Sequence, residues 1–274
     1  MTTENMPKFD LHTHNKMCGH AIGTIEDYIK AAVHKGLKMI GISDHAPYFH
    51  RSEDQPYPGI TMAKSEFSMY IQEVLRLKKK YEDQIEVLLG IESDFFPKQA
   101  DVYKRHLIEQ PLDYIIGSVH YVDDISIFRK GRWDGLTNVE KVQLKERYFS
   151  LIEQSASSDM FDILGHIDAM KGFYPDFSNI EIKTLDQTLQ IVGEYGKVIE
   201  INTSGKTKDS GGWYPEDDIL ERALYHNVGV TFGSDAHDPE RVGDEFEEVQ
   251  QRLKEIGFTE LYFFRQRKKQ SIKI

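Results

Sequence analysis

The sequence predicts an α/β fold, a distorted seven-stranded β/α barrel of the TIM type, on three observations. Strand and helix signals alternate along the whole chain. Seven of the eleven histidines fall at or just beyond the C-terminal ends of the strand segments, the rim where such barrels carry their chemistry. A length of 274 residues is ordinary for one α/β barrel, so residues 1–274 are read as a single domain.

The strands are short apolar or β-branched runs at 8–12, 39–43, 86–91, 114–119, 161–165, 198–202 and 229–233. Amphipathic helical segments separate most of them. The first, 24–34, opens on Thr24 with Asp27 three residues on, a capping-box arrangement, and Gly36 follows its end. The second, 63–81, repeats Phe67, Tyr70, Ile71, Val74 and Leu77 at helical spacing. Further helices are expected at 138–155, 180–195, 215–226 and 240–256. The segment 46–60, rich in Tyr, Pro and charge, reads as a lid over the rim, and the wholly polar run 203–212 as a second rim loop. The basic run 265–269 reads as a solvated end.

Composition narrows the function. A net charge of −11 argues against a protein that neutralises long nucleic acid. No apolar run reaches the roughly 18 residues of a membrane span, and residues 1–7 lack the pattern of a signal peptide. The single cysteine, Cys18, cannot pair internally, and a cytoplasmic location is expected.

The rim residues carry the chemistry. His12 and His14 lie two apart on a strand end and so face the same side. Asp235 and His237 repeat that spacing on the last strand, and Glu92 ends the third strand. Each strand-end histidine alone is readily explained as a hydrogen-bonded rim residue. Seven on one rim, with Glu92 and Asp235, exceed what one ion can use and suit three divalent ions. His34, His106 and His226 fall on helices and read as ordinary side chains. Cys18 is a conceivable soft ligand, but its neighbour His20 is the better placed.

The ordered motifs Asp10-Leu11-His12-Thr13-His14, Gly41-Ile42-Ser43-Asp44-His45, Gly90-Ile91-Glu92, Gly117-Ser118-Val119-His120, Gly165-His166-Ile167-Asp168 and Gly233-Ser234-Asp235-Ala236-His237 resemble those of the PHP (polymerase and histidinol phosphatase) superfamily. The Cys18-Gly19-His20 run and Glu200-Ile201-Asn202-Thr203-Ser204-Gly205 most resemble its monofunctional histidinol-phosphate phosphatases. The resemblance implies three metal ions, zinc, iron or manganese. His12, His14, Glu92 and Asp235 would hold the first, Glu92, His120 and His166 the second, and His20, His45 and His237 the third. It implies hydrolysis of L-histidinol phosphate in histidine biosynthesis, with hydroxide bridging two ions and attacking phosphorus in line. Asp235 or His237 would return a proton to the leaving oxygen. Asp44 and Asp168 are placed to orient ligand imidazoles or simply to hydrogen-bond at the rim.

For the phosphate, Arg241, Lys171 and Lys206 are the candidate partners, each equally readable as a solvated rim residue. His50 in the lid is a candidate substrate contact. Tyr48, Phe49, Tyr57, Glu53 and Asp54 would suit the cationic end of the substrate. Two other functions compete: a hydrolase of nucleotide or oligonucleotide phosphodiesters, and a metal-binding module without catalysis.

Overall fold

The computed structural model describes residues 7–57 and 59–274. The reading of residues 1–6 and the lid residue Pro58 lie outside the described residues. In chain order the elements are β1 (Phe9–Asp10), α1 (Ile25–His34), β2 (Met39–Ile42), α2 (Lys64–Lys80), β3 (Glu86–Leu89), β4 (Glu92–Asp94), α3 (Ala100–Ile108), β5 (Ile116–Ser118), β6 (Tyr121–Val122), β7 (Ile125–Ser126), α4 (Asn138–Ser157), β8 (Ile163–Leu164), α5 (Leu185–Glu194), β9 (Val198–Asn202), α6 (Asp217–Tyr225), β10 (Gly229–Gly233), α7 (Phe246–Ile256), β11 (Glu260–Arg265) and β12 (Lys268–Lys273).

The parallel strands are buried along almost their whole length, as expected where helices cover a sheet. They form two sheets, β1-β2-β3 and β10-β9-β8-β5-β4, not the closed seven-stranded barrel the sequence suggests. The physical reason lies at Gly90. The third strand changes partner there: β3, up to Leu89, pairs with β2, and β4, from Glu92, pairs with β5. A Cβ on Gly90 or Gly41 would run into the ring or hydroxyl of Tyr114, which fills the space beside both strands. The sheets meet through short runs of backbone hydrogen bonds rather than a full ladder, among them His14 N to Ala236 O at 2.9 Å and Ala46 N to Glu92 O at 2.8 Å. Leu11 N donates to Phe232 O at 3.2 Å, and isolated bridges join Thr13 to Ala236 and His45 to Glu92.

The Thr24–Asp27 capping box forms as read, with Thr24 N donating to Asp27 Oδ2 at 2.8 Å. The last helix begins later than expected, at Phe246, because Gly243 and Glu245 adopt left-handed φ values of 69° and 62°. The basic run 265–269 is not a solvated end. It joins β11 to β12 through a turn at Gln266 and Arg267, both at positive φ. Asp113, just ahead of β5, accepts from Gln266 N through its carboxylate and from Arg267 N through its carbonyl. Arg265 pairs with Glu86 at the start of β3, and Arg267 with Asp162 just before β8. The hairpin therefore crosses the N-terminal ends of the strands and leaves their C-terminal ends open. No described helix is long and apolar enough to cross a membrane.

Candidate metal centre

The strands deliver their terminal side chains to one place. His12 and His14 follow β1, His45 follows β2, Glu92 opens β4, His120 follows β5, His166 follows β8, and Asp235 and His237 follow β10. His20 arrives from the loop after β1. Two of these positions are held in left-handed backbone, His166 at φ 25° and Asp235 at φ 52°. Such conformations cost about 1–3 kcal/mol for residues other than glycine and persist where the surroundings over-determine them. Asp10 helps to do so at the last strand, accepting from Ser234 N at 3.0 Å and Gly243 N at 2.8 Å.

The outward nitrogens of the deep histidines are committed. His12 Nδ1 donates to Glu200 Oε1 at 2.6 Å, His14 Nδ1 faces Asp44 Oδ1 at 3.2 Å, and His120 Nδ1 faces Asp94 Oδ1 at 2.9 Å. In the neutral rings this leaves each Nε2 as the lone pair, and these nitrogens converge. His12 and His14 present Nε2 atoms 3.0 Å apart, and the His120 and His166 Nε2 atoms are 3.2 Å apart. Glu92 stands among them: His45 Nδ1 lies 2.9 Å from its Oε2, and His166 Nε2 3.2 Å from its Oε1. Asp235 Oδ1 is 3.0 Å from His14 Nε2. Lone pairs aimed at one another beside two carboxylates repel unless a cation or shared proton lies between them. The donor set, imidazole plus carboxylate with its outer nitrogens anchored by further carboxylates, is that of a transition-metal site.

The electrostatics agree. Burial alone would raise the Glu92 carboxyl, but the imidazoles of His45, His12 and His120 outweigh it and hold it well below the usual carboxylate range. Asp235 is likewise held down, against its burial, by His12 and His14. Burial opposes charge on His12 too, yet Glu200, Asp235 and Glu92 lift it well above its ordinary value. His120 rises, against its burial, to about 9 beside Asp94 and Glu92. His20 and His237 go the other way. Burial and neighbouring imidazoles lower them to about 4 and about 2, so both present neutral nitrogens. Their Nε2 atoms stand 2.9 Å apart.

Three-residue groups able to hold an ion include His12, His14 and Asp235; His45, Glu92 and His120; and His14, His45 and His237. His20 and His237 group with the buried Cys18, whose Sγ also donates to Asn15 O at 3.1 Å. His45 thus stands nearer Glu92 and His14 than the His20 grouping read from the sequence.

An open cavity of about 520 Å³ lies against this cluster, lined by His20, His45, Glu92, His120, His166, Asp235 and His237. Arg241 also lines it; its Nε donates to Asp244, and its buried Nη2 has no partner among the described residues. The other cations read from the sequence do not reach the cavity. Lys171 is buried, held by Asp168 Oδ2 at 2.9 Å, Glu216 Oε1 at 3.3 Å and Trp213 O at 2.8 Å. Lys206 is held between Asp244 and Glu245, each at 2.8 Å. His50 donates to or accepts from the Tyr103 hydroxyl at 2.8 Å, within an aromatic cluster beside the cavity.

A family model for the PHP domain matches residues 10–204. The chain belongs to the PHP family. Among PHP relatives, it is 33% identical over 95% of its length to a protein of Deinococcus radiodurans named "Probable histidinol-phosphatase", covering 98% of that protein. It is 30% identical over 90% of its length to the histidinol-phosphatase of Bacillus subtilis, all of which it covers. In fold it matches the crystal structure of histidinol phosphate phosphatase from Lactococcus lactis, complexed with zinc, L-histidinol and phosphate. The TM-score is 0.80, with 20% identity and coverage of 96% and 98% of the two chains.

This PHP chain also has site residues that sequence reading missed. Asp94 holds His120, and Ser118 Oγ donates to Glu92 Oε1 at 2.6 Å. Asp94 lies two residues after Glu92 and Ser118 two before His120, a spacing that could have flagged them. Phe128, Phe173 and Tyr214 line the cavity from three separate connections, with no local signal to find them, and Lys208 lines it from the polar run 203–212 that the sequence marks as a rim loop.

Proposed function

We propose that this chain is a metal-dependent histidinol-phosphate phosphatase, a cytoplasmic enzyme acting as one domain on a small phosphorylated substrate. The observation that carries the proposal is the convergence of the Nε2 atoms of His12, His14, His120 and His166 on Glu92 and Asp235 at the wall of an open cavity. The two sheets serve as the halves of a distorted barrel. Three divalent ions, zinc, iron or manganese, would be held by His12, His14, Glu92 and Asp235; by Glu92, His120 and His166; and by His20, His45 and His237. Such ions supply a hydroxide nucleophile at neutral pH and neutralise charge on the phosphoryl oxygens.

The chain's own residues do the rest. Glu92, fixed by Ser118, spans the two main groups of histidines. Ser204 Oγ and Asn202 Nδ2 donate to Asp235 Oδ2 at 3.0 and 3.3 Å, which keeps Oδ1 turned to His14. Asp235 or His237, both unprotonated and at the cavity wall, would take the proton given up by the attacking water and pass it to the leaving alkoxide oxygen. Arg241, which lines the cavity, would meet the phosphate dianion through its guanidinium.

The test is phosphate release from L-histidinol phosphate by zinc- or manganese-loaded protein, beside an aryl monoester and an aryl diester. A kcat/KM for histidinol phosphate at least about a hundredfold above the aryl ester supports the proposal. Diester cleavage with little monoester turnover would replace it with a phosphodiesterase. Metal-loaded protein inert to all three would leave a metal-binding module.

A further inference from the structure

One wall of the cavity is not accounted for by hydrolysis alone. Phe128 and Phe173 meet edge to face, centroids 6.5 Å apart and planes at 85°, and make a right-angled aromatic corner on it. Both rings are only partly buried. Phe128 leans on the core, while Phe173 stands outside it. The corner begins where the histidines end, since the Phe128 ring lies 5.8 Å from that of His120. Its backbone is fixed. Ile127 N donates to His120 O at 2.9 Å, and Phe128 N to Ser126 Oγ at 3.2 Å.

Charge on this wall is one-sided. Lys208 Nζ lies over the Phe128 ring at 5.5 Å, and Lys130 Nζ over Phe173 at 5.0 Å. Unlike Lys171 and Lys206, Lys208 has no carboxylate partner among the described residues. Every carboxylate on the cavity wall, Glu92, Asp94 and Asp235, already faces a histidine. Beyond the histidines the wall thus offers aromatic surface and positive charge together. A phosphate ester of a flat, unsaturated ring presents both complements: a ring that packs into an aromatic corner and an anion that meets the ammonium.

We infer that Phe128 and Phe173 form the leaving-group subsite and select phosphomonoesters that carry a flat ring, with Lys208 supplying positive charge beside the phosphate. The inference rests on the phosphatase reading and adds to it the side chains that discriminate among esters.

The experiment measures calorimetric binding of phenylphosphonate and ethylphosphonate to the metal-loaded full chain, so it needs no turnover. The ring-bearing ligand is expected to bind about tenfold more tightly, the size of one good aromatic contact. In Phe128→Leu and in Phe173→Leu that ratio falls to about threefold or less, with metal content and thermal midpoint unchanged. The partly exposed Phe173 keeps the test open if Phe128→Leu disturbs its loop. Equal binding of the two ligands by the wild type, or an undiminished ratio in both variants, overturns the inference. Failure of the phosphatase reading looks different: the ring preference persists and no monoester is turned over.

Discussion

Glu200 accepts the Nδ1 proton of His12 at 2.6 Å and so decides which nitrogen of His12 faces the cavity. Its other oxygen accepts from His166 N and Asn202 Nδ2. One buried carboxylate therefore orients a histidine from β1 and the left-handed turn after β8. Replacing it with alanine frees the His12 ring and leaves two donors unpaired. Glu200→Ala is expected to weaken metal binding about 10- to 100-fold, measured by competition with a chelator. Unchanged affinity would show that packing alone orients His12.

Glu92 is shared by histidines from both sheets, so its loss should not be local. Glu92→Ala is expected to lower both metal content and phosphatase kcat/KM, the latter by about a thousandfold or more, since two groups of ligands lose their common carboxylate. Metal analysis of the purified variant checks the first, and steady-state assays the second. Full activity at full metal content would end the assignment of Glu92.

Acid should weaken the contact between α1 and the end of α2. Glu26, in the first turn of α1, accepts from Lys80 Nζ at 2.6 Å and Tyr81 Oη at 2.7 Å at the end of α2. These bonds lower its carboxyl from 4.5 to about 2. A carboxyl lowered by folding stabilises fully above its unfolded value and loses that contribution as pH falls through its folded one. Glu26→Gln should therefore melt below the wild type at neutral pH, and the gap should close between about 4.5 and 2. Parallel melting curves across that range check it; a gap independent of pH would assign the difference to packing.

The break between the sheets depends on a missing side chain. Gly90→Ala places a methyl group inside the Tyr114 ring. Overpacking of this kind costs about 1–3 kcal/mol. Denaturant unfolding should show a loss of that size, and Tyr114→Leu in the same chain should recover part of it. No loss would mean that the Tyr114 ring moves freely.

The candidate ligands were legible because each sits at a fixed step from a strand end, and a strand's two-residue repeat settles which side it faces. Lys171 was not, because Glu216 and Trp213 O, which with the neighbouring Asp168 enclose its ammonium, come from far along the chain. The split of the third strand was hidden for a similar reason. The run 87–91 has no polar side chain before Glu92, and the ring of Tyr114, which crowds Gly90 where the pairing changes partner, comes from far along the chain. The terminal hairpin escaped notice because its turn uses Gln266 and Arg267 at positive φ, without the glycine or asparagine that marks such turns.

The division into two sheets has a mechanical consequence. His12, His14 and His45 hang from the three-stranded sheet, while Glu92, His120, His166, Asp235 and His237 hang from the five-stranded one. Between them the backbone offers isolated bridges and a few hydrogen bonds, without the continuous ladder found inside each sheet. Ions gripped from both sides would act as rivets across that seam. Stripping them should then do more than stop chemistry: amides flanking the seam, such as Leu11 and Ala236, should exchange with solvent faster, while the interior of each sheet keeps its protection.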